Sequence, residues 1–162
     1  MRRAGVTRGA LYHQFPGGKQ DVFAAVFDQV EEELSASIAR TLAESGAGDP
    51  LAALHAGVEA TLDAALDPET VRLTILDAPA VLGWEAWREA GERYGLGLVR
   101  AGLQAAMDAG AIARAPLDPL SQLLLAAVEE AVVYVARAAD KEGAREQAQA
   151  ALHHLLDGLR AT

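Results

Sequence analysis

The 162-residue sequence has no cysteine, which excludes a disulfide framework and a thiolate nucleophile. A cysteine-free chain suits a reducing compartment, and a cytoplasmic location is expected. Aromatic residues make up only 5% of the chain. No uncharged apolar run reaches the roughly eighteen residues that a membrane span needs, and no basic segment leads into an apolar one at the start, so neither span nor signal peptide is expected. Apolar-polar alternation of the kind that marks β-strands is missing, as are internal repeats and low-complexity tracts. The fold is expected to be all-α.

Catalytic signatures are equally scarce. The four histidines are His13, His55, His153 and His154, and no two stand four apart as a metal pair on one helix face would. A GxSxG elbow and a Walker loop are both missing. No catalytic residue, metal site or cofactor is therefore expected. A helical enzyme built from scattered carboxylates stays as an alternative ranked below a binding protein.

What the chain has is a polarised charge. The net charge is −9, yet residues 1–20 carry Arg2, Arg3, Arg8 and Lys19 with no acid, for +4, leaving −13 on the remainder. Such a distribution offers one attractive end to phosphate while the body is repelled. An ordinary basic terminus would give the same numbers.

The motif that separates these readings lies at residues 4–23, AGVTRGALYHQFPGGKQDVF. Gly5 supplies the backbone freedom of a tight turn, and Thr7 suits a helix N-cap. A short helix over 8–15 would bury Leu11 and Phe15 on one face, leaving Arg8, Gly9, Tyr12 and His13 for solvent or a partner. Pro16, Gly17 and Gly18 then stop it, and a long helix starts near Lys19. This stretch resembles the recognition helix, and the start of the following helix, of the tetracycline-repressor-like (TetR) family of transcriptional regulators. Relative to that family's three-helix head, the sequence begins inside the second helix.

That resemblance implies a regulator, in the usual case a repressor, that binds operator DNA as a dimer and is released by a small-molecule effector. It also implies that Thr7, Tyr12 and Lys19 meet phosphates while Arg8, Gly9 and His13 face the groove. The residue types agree, since hydroxyl, phenol and ammonium groups donate to phosphate and glycine lets the backbone come close. Tyr12 reads equally as a core residue with its hydroxyl at the surface. The sequence as written is expected to bind operator poorly or not at all, because a recognition helix needs partner helices to hold its angle. A ligand-binding or protein-interaction module without DNA binding is the alternative.

Two regions follow: 1–44, a partial DNA-binding head with its connecting helix, and 45–162, a helical effector-binding and dimerisation domain. Residues 19–44 carry Val22, Phe23, Val26, Val30, Leu34, Ile38 and Leu42 at helical spacing, a stripe along roughly 39 Å of helix. Glu31, Glu32 and Glu33 read as its solvated face. Three Asp-Pro pairs, at Asp49, Asp67 and Asp118, each look like an N-cap followed by a first-turn proline. Helices are thus expected over 51–66, 69–77, 84–109, 119–139 and 143–160.

The helix over 84–109 contains Gly91, Gly95, Gly97 and Gly102, each costing about 1 kcal/mol against alanine. Close packing of helices explains them most simply, with space for a ligand as the other reading. His55, Arg72, Trp84, Trp87, Tyr94 and Met107 are the candidate effector-pocket residues; each could equally be ordinary core or surface. Residues 119–139 are apolar on opposite faces, Leu120, Leu124, Ala127, Ala131 and Val135 against Leu125, Val133 and Ala136. A helix buried on most sides suits a homodimer formed through residues 119–160, as the resemblance also implies. The centre of a monomeric bundle is the competing explanation.

Overall fold

A computed structural model describes residues 15–45 and 48–161. Eight α-helices run through them: α1 (Lys19–Ser45), α2 (Pro50–Ala64), α3 (Pro68–Val71), α4 (Ala78–Leu82), α5 (Trp84–Gly91), α6 (Gly97–Asp108), α7 (Leu117–Arg137) and α8 (Lys141–Asp157). Two π-helical segments interrupt the series, π1 (Arg72–Asp77) between α3 and α4 and π2 (Glu92–Leu96) between α5 and α6. The only strand-like feature among the described residues is an isolated antiparallel bridge between Ile112 and Arg160.

Local chemistry accounts for most of the boundaries. Asp49 Oδ1 accepts from the amides of Leu51 and Ala52 at 3.0 and 3.1 Å, and Asp67 accepts from Glu69 and Thr70, each with proline in the first turn behind it. The third Asp-Pro pair behaves differently. Pro116 is the N-cap of α7, and Asp118 lies inside the first turn, where its carboxylate pairs with Arg100 at 2.9 Å. Asp140 caps α8 through the Gly143 amide. Gly83, at φ 90° and ψ 154°, makes the break between α4 and α5 in a conformation essentially reserved for glycine.

The expected helix over 84–109 is split by π2, and the one over 69–77 changes register at Arg72. Pro79 has no amide hydrogen to give the carbonyl of Ile75 four residues earlier, so the α register cannot be kept there. Glycines flank and occupy π2, where the cost of departing from α geometry is smallest.

At the centre lies α2, touching α1, α6, α7 and α8. Its Leu51, Leu54, Val58 and Leu62 form the main core with Leu103, Ala106 and Met107 of α6, Leu124, Val128 and Val135 of α7, and Ala148, Leu152 and Leu156 of α8. A second cluster, built on Phe27, Ala78 and Ala90, docks α1 against α4 and α5. By length and composition α7 is apolar enough to cross a bilayer, yet Ser121, Leu124, Val128 and Val135 are buried within the bundle.

The inward face of α1 keeps Phe23, Leu34, Ile38 and Leu42 of the expected stripe and departs from it between them. Phe27 is its one fully buried residue, whereas Val26 is exposed. The face runs Phe27, Glu31, Leu34, Ile38 and Leu42, which places Glu31 inside rather than on a solvated side. Counting only apolar residues misses a helix face that carries an inward carboxylate.

Candidate functional site

Between the two clusters α1, α2, π1, α5, π2 and α7 enclose a partly open cavity of 170 Å³. Its wall is apolar, with Phe27, Leu34 and Ile38 from α1, Val58 from α2, Trp87 from α5 and Val128 from α7. Pockets of this kind take small molecules through an apolar wall and a few placed polar groups. Both π segments reach it, through Thr74 and Ile75 and through Tyr94 and Gly95. Such segments concentrate at functional sites.

Each π segment hands one carbonyl to a side chain. The Trp87 indole Nε1 donates to the Thr74 carbonyl at 2.8 Å, and Ser35 Oγ donates to the Tyr94 carbonyl at 2.9 Å. Thr61 and Thr74 donate to the backbone one turn earlier, Thr70 donates to Asp67, and the Tyr94 hydroxyl donates to Asp28. The remaining polar groups on the wall are two carboxylates, Glu31 and Glu129. Among the described residues neither has a hydrogen bond or a basic partner in contact.

Their environment is unfavourable to charge. Burial, reinforced by Glu129 and Asp28, pushes the Glu31 carboxyl from 4.5 up to about 7. Burial also raises Glu129, a shift opposed by Arg88 and reinforced by Glu92. Arg88 itself pairs with Glu92 at 3.0 Å. The Glu129 carboxylate lies against Gly91, where any side chain would collide with it, and a Cβ on Gly95 would come 2.8 Å from Leu125 Cδ1. These two glycines serve close packing and border the cavity at once. Gly102 is packing alone, its position 2.6 Å from Leu54 Cδ2, and Gly97 has no neighbour within 4 Å.

The candidate pocket residues are placed as follows. Trp87 and Tyr94 line the cavity. Trp84 packs against Trp87 with ring centroids 5.0 Å apart and planes tilted by 39°, but is 65% exposed, and Arg72 projects outward to pair with Asp77. Met107 is buried in the main core. His55 lies where α2 meets α8 and stacks on His153, with ring centroids 4.3 Å apart. Each Nε2 of this pair is buried and unbonded, 3.5 Å from Asp157 for His55 and 3.4 Å from Glu59 for His153. Burial first, and then His153, lowers the His55 pKa. Among the described residues no group of three or more metal-ligating side chains forms.

Sequence reasoning passed over Glu31, Ser35 and Glu129. The signal that could have found them is position: Glu31 stands four residues from Phe27 and three from Leu34 on one helix face, and Glu129 interrupts an otherwise apolar helix.

Of the residues assigned to DNA, Thr7, Arg8, Gly9, Tyr12 and His13 lie outside the described residues. Lys19 opens α1 and is exposed. Helices α7 and α8 leave Leu123, Tyr134 and Leu155 uncovered at 69%, 50% and 56% exposure.

Comparison with known proteins agrees with this architecture. No curated protein matches the chain. The tetracyclin repressor-like C-terminal domain family matches residues 51–159. A solved TetR-family transcriptional regulator from Pectobacterium atrosepticum superposes with a TM-score of 0.86 at 31% identity, covering 98% of this chain and 80% of that one. A family domain over most of the sequence, and a shared fold at that identity, mean that the chain belongs to the tetracycline-repressor-like family, whose members are transcriptional regulators and not enzymes.

Proposed function

We propose that the protein is a cytoplasmic transcriptional repressor that binds operator DNA as a homodimer and is released when a small molecule occupies the cavity beside α1. In this reading residues 1–44 supply a partial DNA-binding head with its connecting helix, and 45–162 the effector-binding and dimerisation region. Within the head, Thr7, Tyr12 and Lys19 meet phosphates and Arg8, Gly9 and His13 face the groove. The observation that carries this reading is that α1, the helix following the recognition motif, supplies one wall of the cavity through Phe27, Glu31, Leu34 and Ile38. A ligand inserted there bears directly on the helix that sets the position of the head.

Coupling of this kind is reciprocal. An effector that fits one disposition of α1 better than another shifts the dimer toward it, and DNA shifts it back by the same factor. Of the pocket candidates, Trp87 and Tyr94 contact the effector in this scheme. His55, Arg72, Trp84 and Met107 act from outside the cavity, by holding the helices around it.

The test is fluorescence anisotropy of the chain against the duplex upstream of its own coding sequence, with and without compounds that bind the cavity. Sequence-selective binding, weak in this chain and weaker still as the cavity fills, is expected. Selective binding unaffected by a cavity ligand would contradict the release mechanism. A cavity ligand that binds while no duplex does would leave a ligand-binding module.

A further inference from the structure

On the reading that the cavity is an effector site, its chemistry narrows the class of effector. We infer that the cavity takes an apolar molecule bearing one cationic nitrogen, a protonated amine or a quaternary ammonium, with the nitrogen between Glu31 and Glu129 and the apolar body against Phe27 and Trp87.

Three observations lead there. First, the polar side chains of the wall divide cleanly. Ser35, Thr61, Thr70, Thr74, Trp87 and Tyr94 direct their donors to partners of their own, which leaves the two half-buried carboxylates as the wall's polar side chains without a protein hydrogen-bond partner. The cavity thus presents carboxylate acceptors whose negative charge grows as pH rises through about 7, and its only uncommitted donor is a protonated carboxyl, which a cation displaces. Second, among the described residues no basic side chain forms an ion pair with either acid, although Arg88 acts on Glu129 from a distance. Arg88 is engaged by Glu92, Arg93 lies near Asp28 at 3.8 Å, and neither contacts Glu31 or Glu129. Third, Phe27, Trp87 and Tyr94 bring aromatic surface to the same space. Cations of low hydration gain from such faces when water is excluded.

Two carboxylates in an apolar cavity are costly without a counter-charge, and a bound cation supplies it. Burial holds Glu31 partly protonated near neutral pH, with Asp28 and Glu129 adding to the effect. At Glu129 the opposing influences are Arg88 and Glu92. A cation entering the cavity therefore displaces a proton, and its affinity rises with pH through about 7.

The experiment uses the full chain and three probes: a phenylbutyltrimethylammonium ion, the neutral isostere in which carbon replaces nitrogen, and a phenylalkyl carboxylate of matching length. Binding is read by tryptophan fluorescence, since Trp87 lines the cavity, and by calorimetry. The ammonium ion should bind about tenfold or more tightly than the isostere, and the carboxylate more weakly than either. Glu31→Gln and Glu129→Gln should each reduce this preference about tenfold. The comparison of probes on the unaltered protein stands whether or not either variant folds. Equal or tighter binding of the isostere or the carboxylate overturns the cationic class and leaves the cavity as an effector site of another chemistry. Failure of all three probes at millimolar concentration overturns both readings.

Discussion

Ser35 Oγ on α1 donates a 2.9 Å hydrogen bond to the backbone carbonyl of Tyr94 in π2, joining the long connecting helix to the irregular segment at the cavity rim. A π turn displaces carbonyls from the α ladder, and a side-chain donor from a neighbouring helix can satisfy one of them. The Tyr94 hydroxyl reaches back to Asp28 Oδ1 at 3.2 Å on the same helix. The Ser35→Ala variant therefore leaves a part-buried carbonyl without its partner, at a cost of about 1 kcal/mol, and loosens α1 from the cavity wall. Thermal unfolding should show a modest loss of stability. The ratio of operator affinities with and without a cavity ligand should fall toward one. An unchanged ratio would mean that α1 is coupled to the cavity through its apolar contacts alone.

Much of this architecture can be read in the sequence. Asp49 and Asp67 cap their helices as the Asp-Pro pattern predicts, because the carboxylate satisfies first-turn amides and proline loses nothing there. At Asp118 the same dipeptide fails, since Pro116 already fixes an extended entry and the helix starts at Leu117, two residues before Pro119. The two π segments have no periodic signature and reveal themselves only in Pro79 and in the glycines around residues 91–97. Within the cavity, Trp87 and Tyr94 stand out as aromatics in a chain poor in them. Glu31 does not, because an acid among three consecutive acids looks solvated until tertiary packing sets the rotation of α1.

The uncovered apolar residues of α7 and α8 lead to a prediction about assembly. Leu123 and Leu155 face outward from helices whose other sides are already packed, and an interface through both would bury them. Because Leu155 is exposed in the single chain, Leu155→Arg should leave the fold intact. In a homodimer it would place an unpaired charge in the interface. Sedimentation should give a dimer for the parent chain and a monomer for the variant at micromolar concentration, with matching circular dichroism. A monomeric parent would refute the interface.

Lys19 opens α1 with its side chain exposed, next to the turn formed by Pro16, Gly17 and Gly18. A flexible ammonium group in that position suits a phosphate contact that carries no base information. Lys19→Ala should weaken binding to all duplexes by a similar factor and reduce the slope of log affinity against log salt by about 1. Titrations of operator and scrambled duplex over a range of salt would measure both quantities. Loss confined to the operator would instead assign Lys19 to base readout.

The last prediction concerns the energetic cost of Glu31. Its carboxyl is raised from 4.5 to about 7 in the folded protein, chiefly by burial and then by Glu129 and Asp28. Between those values the folded state holds a proton that the unfolded state has released, so stability falls as pH rises. The contribution is fully present below 4.5 and is lost as pH passes through about 7. Glu31→Gln keeps the shape and cannot ionise. Its stability should match the parent at pH 4 and exceed it above pH 7, by a margin on the order of 1–3 kcal/mol after allowing for the partial exposure of the group. Since Glu129 contributes to the shift, the gain should be smaller when measured on a Glu129→Gln background, a non-additivity that two solvated carboxylates would not produce. Melting curves for the four proteins across pH 4 to 8.5 decide the matter. Parallel profiles for parent and Glu31→Gln would mean that the carboxylate reaches water. The cost is removable by a bound cation as well as by mutation, so a phenylalkylammonium ligand should stabilise the parent at pH 8 more than it stabilises the glutamine variant.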